Sequence, residues 1–135
     1  MAKPQRATYF KANLEDKPGA LLTVLKELKS KNLGLSGLWG YSTSEGKAEL
    51  YVVTKNPDKI RNAWKASGFL AEEGTGFWVK GTDKTGALLG TLEGLADSGV
   101  NIIAIDAVAV GGKFGSFVWV KPEDVERAAR ALGAK

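Results

Sequence analysis

The sequence Asp16-Lys17-Pro18-Gly19-Ala20-Leu21-Leu22 returns 67 residues later as Asp83-Lys84-Thr85-Gly86-Ala87-Leu88-Leu89, with six of the seven positions identical. The similarity continues at Leu25 and Leu92, and at Leu28 and Leu95. A segment that returns at a fixed offset is the sequence signature of a duplicated structural unit. We therefore expect two copies of one small unit, over residues 1–74 and 75–135.

Composition restricts the class of protein. The chain has 135 residues, of which 44% are hydrophobic and 25% charged, and it contains neither cysteine nor histidine. Such a chain can bury a core, but it cannot form a disulfide. Its first residues lack the apolar run of a signal peptide, and no stretch approaches the roughly 20 apolar residues of a membrane span. We expect a cytoplasmic protein that does not enter a membrane.

The net charge of +4 comes from the first copy, which has 12 basic and 8 acidic residues against 7 and 7 in the second. One interpretation is attraction to an acidic partner or ligand. The other, which we favour, is a solvated helix face that carries the excess lysines.

The first copy has the order β-α-β-β-α-β. We expect strands at Thr8–Leu14, Leu33–Thr43, Lys47–Thr54 and Phe69–Glu73, a helix from the repeated turn to about Lys31, and a helix opened by Asn56-Pro57-Asp58 and followed by Gly68. Asp16 suits the N-cap of the first helix, and Asn32 and Gly34 suit its end. Leucines 21, 22, 25 and 28 are spaced to form its buried face.

The second copy repeats this order. We expect strands at Phe77–Gly81, Val100–Val110 and Phe114–Val120, a helix between the cap Asp83 and Gly99 that buries leucines 88, 89, 92 and 95, and a helix opened by Pro122. Only three residues follow the last helix, which is too few for a final strand.

A β-α-β-β-α-β unit favours the ferredoxin-like sandwich, with both helices on one face of an antiparallel sheet. The predicted fold class is therefore α+β, with two tandem ferredoxin-like units of which the second lacks its own last strand. One solution for the open edge is a hairpin in which Phe69–Glu73 pairs with Phe77–Gly81 through Gly74-Thr75-Gly76. In the alternative, the two segments run on through a bend and a second chain covers the edge.

The segment Asn101–Val110 is apolar at nearly every position, whereas a half-buried strand should alternate. Either something covers part of the second sheet face, or its small alanines tolerate exposure. Asp106 interrupts this segment. It is either a ligand contact or a carboxyl with a raised pKa, or it lies at a bulge or edge position where it reaches water.

The absence of histidine and cysteine excludes most nucleophile–base pairs and every soft-metal site, so we expect no enzyme, no catalytic residue, no metal and no cofactor. The repeated turn is the better candidate site. The N–H groups of Gly19, Ala20 and Leu21, and those of Gly86, Ala87 and Leu88, are expected to be free at a helix N-terminus, where they would bind a carboxylate or another anion. The alternative is that the aspartate and glycine only cap and turn.

On these features the chain resembles the ACT domain family. The resemblance covers both copies and depends on Asp16–Leu22, on Asp83–Leu89 and on Gly99-Val100-Asn101-Ile102, which is similar to the segment before strand two in that family. Each motif is short, but their order, spacing and duplication together are fairly specific.

ACT domains are regulatory modules that bind amino acids or other small ligands, commonly between domains packed side by side. The resemblance implies a site built from Asp16 and Asp83, from Gly19 and Gly86 with the residues after them, and from Asn101. Gly34 replaces that asparagine in the first copy, so a complete site is implied around the second copy or at a mixed interface. Many members of this family carry a neutral amide where this chain has Asp16 and Asp83. A carboxylate at that position implies contact with an ammonium group of the ligand rather than with its carboxylate.

We therefore expect a regulator that binds a small molecule, most simply an amino acid, and acts as a stand-alone sensor or as the regulatory subunit of a partner enzyme. The resemblance and the apolar strand also imply a homodimer. The alternative function is a protein-interaction module that docks a partner enzyme without a ligand. Nucleic-acid binding ranks third, because no helix-turn-helix, zinc or stacking motif is present.

Overall fold

The protein is described by a computed structural model that covers residues 3–134. In chain order the elements are β1 (Lys3–Glu15), α1 (Ala20–Ser30), β2 (Gly37–Ser44), β3 (Lys47–Val53), α2 (Pro57–Ser67), β4 (Leu70–Thr82), α3 (Leu89–Asp97), β5 (Ile102–Val110), β6 (Lys113–Val120), a 3-10 turn (Pro122–Asp124) and α4 (Val125–Leu132). The strands form one antiparallel sheet in the order β2-β3-β1-β4-β6-β5. The predicted α+β class is confirmed.

These elements form two compact units. One contains Thr8–Gly74, and the other contains the remaining described residues, 3–7 and 75–134. Strands β1 and β4 are each 13 residues long, and each contributes to both units. The start of β1 therefore belongs to the second unit, in which no strand follows α4 within the described residues.

The unit 8–74 buries one face of its strands under α1 and α2. Phe10 lies opposite Val52 in the sheet, and both are fully buried with Trp64 of α2. Helix α1 contributes Val24 and Leu28 to this core. The prediction that leucines 21, 22, 25 and 28 form the buried face of this helix was partly wrong.

The error concerns the two leucines that end the repeated motif. Leu21 is 42% exposed and Leu22 is 56% exposed. The helix begins only at Ala20, after Gly19 in a left-handed conformation with φ of 88°. With the helix in this rotation about its axis, Val24 and Leu28, which are four residues apart, face the core. Leu22 lies on another side of the helix.

The N-cap prediction for Asp16 and Asp83 was also wrong. The residues at the caps are Gly19 for α1 and Leu88 for α3, and neither helix has a side-chain cap. Both aspartates precede the turn, and neither caps the helix that follows it. The predicted stop at Asn32 agrees with the structure, since this residue has a φ of 55°, which asparagine tolerates better than most residues.

The proposed hairpin through Gly74-Thr75-Gly76 was wrong, because strand β4 runs unbroken from Leu70 to Thr82. The two glycines are needed because aromatic rings lie against the strand. A Cβ at Gly74 would lie 2.7 Å from the Tyr9 hydroxyl oxygen, and one at Gly76 would lie 2.2 Å from Cε2 of Phe117. The glycines thus signal close approach of side chains, and not a turn.

The unit of residues 3–7 and 75–134 has its own core, in which Phe77, Val79, Leu95, Val118 and Ala128 are fully buried. Helix α3 buries Thr91 and Leu95, and helices α3 and α4 contact each other.

An ion pair joins the start of β1 to α4 within this unit. Arg6 binds Glu126 through two hydrogen bonds of 2.6 and 3.0 Å. The arginine lowers the pKa of Glu126. Both groups are exposed, so the pair adds little stability, but it ties the first strand to the last helix.

The helix-free face of this unit carries aromatic rings. Phe117 contacts Trp78 edge-on at 5.1 Å and Trp119 at 4.7 Å between ring centroids, and Phe117 and Trp119 are almost completely buried. Strand β5, by contrast, stays exposed, with Val108 at 65% and Val110 at 75%. Among the described residues, no strand pairs with the outer edge of β5.

The contact between Gly76 and Phe117 leads to a stability prediction. Gly76→Ala should lower the free energy of unfolding by about 1–3 kcal/mol, because the added methyl group overlaps the ring and cannot be accommodated without a backbone shift. Urea denaturation measures this change. Gly115→Ala is the matched control, since it lies in a strand with no atom within 4 Å of the added Cβ. Equal effects of the two substitutions would contradict the assignment.

Candidate functional site

A pocket of about 430 Å³ lies beside the second copy of the repeated turn. It is bounded by that turn, by the start of α3 and by the middle of β5. The residues that line it are Asp83, Lys84, Gly86, Ala87, Leu88, Leu89, Leu92, Ala107, Val108, Ala109 and Phe114. All of them are apolar or glycine except Asp83 and Lys84, so the lining is mostly apolar and includes one acidic and one basic residue.

Backbone hydrogen bonds hold the turn in shape. The N–H of Asp83 donates to the carbonyl of Gly112 at 2.9 Å, which fixes the end of β4 against the hairpin between β5 and β6. The N–H of Ala87 donates to the carbonyl of Lys84 at 3.1 Å. Gly86 has a φ of 77°, a conformation that glycine adopts without strain.

The charged side chains of the two copies differ in their partners. In the first copy, the Ser42 hydroxyl donates to the Asp16 carboxylate at 2.6 Å, and Lys17 lies 2.8 Å from Glu15. At the same offset of 67 residues, Ser42 corresponds to Ala109.

Glu15 corresponds to Thr82 at that offset. The second copy therefore lacks both partners. Within residues 3–134, Asp83 and Lys84 make no hydrogen bond or ion pair through their side chains. The two charged side chains of the motif thus have protein partners in the first copy, and in the second copy they have none within the described residues.

The structure brings together four of the nine residues predicted to bind ligand, namely Asp83, Gly86, Ala87 and Leu88. Asn101 is exposed and does not line the pocket. The first-copy residues Asp16, Gly19, Ala20 and Leu21 lie in the equivalent turn of the unit 8–74. Their role in binding stays a prediction.

The expected set of free N–H groups needs correction. The N–H groups of Ala20 and Ala87 donate to the carbonyls of Lys17 and Lys84, because each turn closes on itself before the helix begins. The glycine turn therefore offers fewer donors than the sequence predicted.

Sequence reasoning missed the rest of the lining. Leu89 and Leu92 were assigned to the core, but Leu89 is 59% exposed and both line the pocket. Ala107 and Ala109 were considered only as residues of an apolar strand. The sequence held no signal that separates these leucines from core leucines, although the structure shows the equivalent Leu22 and Leu89 to be similarly exposed, at 56% and 59%.

Asp106 lies on the edge strand β5, as one of the two interpretations of the sequence expected, but one of its carboxylate oxygens is buried and its pKa is raised, as the other interpretation expected. Its Oδ1 accepts a hydrogen bond from the N–H of Phe117 at 3.0 Å, and its own carbonyl accepts one from the Ser116 hydroxyl. Its Oδ2 is buried and has no hydrogen-bond partner within the described residues. Burial raises the pKa of Asp106, and the Phe117 N–H partly opposes this.

The raised pKa leads to a pH prediction for stability. As the pH rises from about 3.8, the ordinary pKa, the folded state holds the Asp106 proton longer than the unfolded state. Stability should therefore fall through this interval. Asp106→Asn should remove that fall, as measured by chemical denaturation at a series of pH values. The exposed Asp97→Asn is the control, and a fall retained in Asp106→Asn would contradict the prediction.

Comparison with solved structures identifies the fold. Protein BT0572 from Bacteroides thetaiotaomicron matches with a TM-score of 0.82 and 23% identity, over 96% of this chain and 88% of that one. The regulatory subunit of aspartate kinase from Thermus thermophilus matches with a TM-score of 0.65 and 16% identity, over 98% and 94%. The resemblance to tandem ACT proteins is therefore confirmed for the fold.

A complete kinase matches over a smaller share of its length. Escherichia coli aspartokinase III, in complex with aspartate and ADP, has a TM-score of 0.59 and 18% identity, over 97% of this chain and 32% of that one. The Thermus match is a regulatory subunit without the catalytic part. No protein-family model and no curated protein matches the sequence.

Membrane-spanning helices and clustered metal ligands are both absent from residues 3–134. No helix among them is long and apolar enough to cross a membrane. In the same part of the chain, no three His, Cys, Asp or Glu side chains are grouped so that they could hold a metal ion.

Proposed function

We propose that this chain is a regulatory protein that binds an amino acid in the pocket beside α3, and that each of its units is a ferredoxin-like ACT unit. The observation that carries the proposal is the coincidence of the duplicated turn with a pocket lined by an acidic and a basic residue, Asp83 and Lys84, whose side chains have no partner within residues 3–134. The cytoplasmic location stays a prediction from the sequence.

The two charges suit the head group of an amino acid. The Asp83 carboxylate would accept hydrogen bonds from the ligand ammonium group, and the Lys84 ammonium would approach the ligand carboxylate. Charge-assisted hydrogen bonds of this kind are stronger than neutral ones. The ligand would then connect the turn before α3 to β5, and so stabilise one arrangement of the pocket walls.

The regulatory role is supported by similarity to the aspartate kinase regulatory subunits, in which the same fold occurs without a catalytic domain. Ligand binding would shift the chain between two states that a partner enzyme distinguishes. The chain would act as a stand-alone sensor or as a regulatory subunit of that enzyme.

The second candidate function is a protein-interaction module that docks a partner enzyme without holding a ligand. It is favoured by one observation, the exposed apolar strand β5 with its free edge. We infer that this edge joins a second copy of the chain to form a homodimer. The exposed side chains of Ile103, Ile105, Val108 and Val110 would be buried there, and the free edge would gain hydrogen bonds.

Amino-acid binding can be measured with a thermal-shift screen of the twenty amino acids at millimolar concentration. A ligand at about 100 times its Kd should add about 2.7 kcal/mol to the free energy of unfolding. Gly86→Val should abolish this stabilisation, because it narrows the pocket mouth where Leu89 already lies 3.1 Å from an added Cβ. Gly99→Val is the control, with a similar φ of 72° outside the pocket. Unchanged melting temperatures with all twenty would refute the proposal.

The homodimer predicts a mass of twice 14.3 kDa in light scattering. Val110→Lys should shift the mass toward the monomer, since it places a charge on the exposed edge without touching the pocket. Ala66→Lys on the exposed surface of α2 should leave the mass unchanged. A mass near 14.3 kDa at all concentrations would remove the homodimer.

A further inference from the structure

We propose that the pocket of the second copy selects amino acids with an apolar side chain, such as leucine, and that the first copy leaves its own turn closed to ligand. This inference rests on the proposed function and specifies its ligand class. Two observations support it. The Asp-Lys pair has side-chain partners in the first copy and none in the second within residues 3–134, and the lining of the pocket is mostly apolar.

The first step concerns the head group. Asp83 and Lys84 are neighbours in the chain and both line the pocket, so one negatively and one positively charged residue belong to its lining. A zwitterion satisfies both at once. A plain amine or a plain carboxylic acid would leave one of the two charges without a partner.

The second step concerns the side chain of the ligand. Away from Asp83 and Lys84, the lining consists of glycine and of alanine, leucine, valine and phenylalanine side chains. It holds no third polar side chain that could pair with a lysine ammonium, an aspartate carboxylate or a threonine hydroxyl. A polar ligand side chain would lose its hydration there without gaining a hydrogen bond, whereas an aliphatic one gains burial.

The pocket volume agrees with a ligand of this kind. At about 430 Å³ it lies within the range of small-molecule sites, which begins at about 300 Å³. Its apolar walls come from Leu88, Leu89 and Leu92 on one side and from β5 on the other. An aliphatic side chain would contact both walls.

The third step concerns the first copy. There the Ser42 hydroxyl donates a hydrogen bond to the Asp16 carboxylate, and Glu15 forms an ion pair with Lys17. A ligand would have to displace both partners before it could bind. The corresponding Ala109 and Thr82 make no such contact, so we expect one ligand for each chain.

The test is isothermal titration of the full chain with L-leucine, L-lysine, L-aspartate and L-threonine. Two leucine fragments serve as probes of the head group: 4-methylpentanoate, which lacks the ammonium, and 3-methylbutylamine, which lacks the carboxylate. We expect leucine to bind with one site per chain, and each fragment and polar amino acid to bind at least about tenfold more weakly. Asp83→Asn should weaken leucine binding about tenfold, because it removes the charge that faces the ammonium.

Asp16→Asn is the matched control, since it alters the same position of the duplicated turn, and it should leave leucine binding unchanged. A polar amino acid that binds as tightly as leucine, two sites per chain, or an effect of Asp16→Asn equal to that of Asp83→Asn would overturn this inference and leave the regulatory function standing. Absence of binding by any of the twenty amino acids would overturn both.

Discussion

The packing of aromatic rings against two glycines of β4 is the contact on which the fold depends most. Glycine normally weakens a strand, because it has no side chain to pack and loses more entropy on folding. Here Tyr9 and Phe117 lie against Gly74 and Gly76, so the ring surface supplies the packing that the glycines lack. The strand can therefore continue without a break and contribute residues 70–74 to one unit and 75–82 to the other.

The sequence predicted the kind and order of most elements, because the duplicated turn placed two similar patterns in register. It failed where a residue has two physical uses. Glycines that make room for a ring look the same in sequence as glycines that make a turn, so β4 was divided. A leucine that is exposed or lines a pocket looks the same in sequence as a leucine in a core, so Leu22 and Leu89 were both assigned to buried faces. Only the contacts around these residues separate the two uses.

The candidate site was predictable in its position and only in part in its composition. The duplicated motif pointed to Asp83 and Gly86, which line the pocket. The wall formed by β5 could not be derived, because it depends on which strand lies beside the turn in space. The difference between the copies is visible in the sequence only in part, where Thr82 replaces Glu15. The contact of Ser42 with Asp16 could not be derived, because it again depends on which strand lies beside the turn.

The place of residues 3–7 in the second unit affects how the chain must fold during synthesis. Arg6 meets Glu126, a partner 120 residues away, and at about 5–20 residues per second the ribosome needs roughly 6 to 24 s to add that length. The start of the first strand must wait this long for its partner on α4, whereas residues 9–15 of the same strand can pair with β3 much earlier. An exposed strand end could meanwhile join other nascent chains. Its sequence, Lys3-Pro4-Gln5-Arg6, carries two charges and a proline, which are the features that protect strand edges from wrong pairing. The polar start of the chain thus serves as a safeguard against aggregation before it becomes part of the sheet.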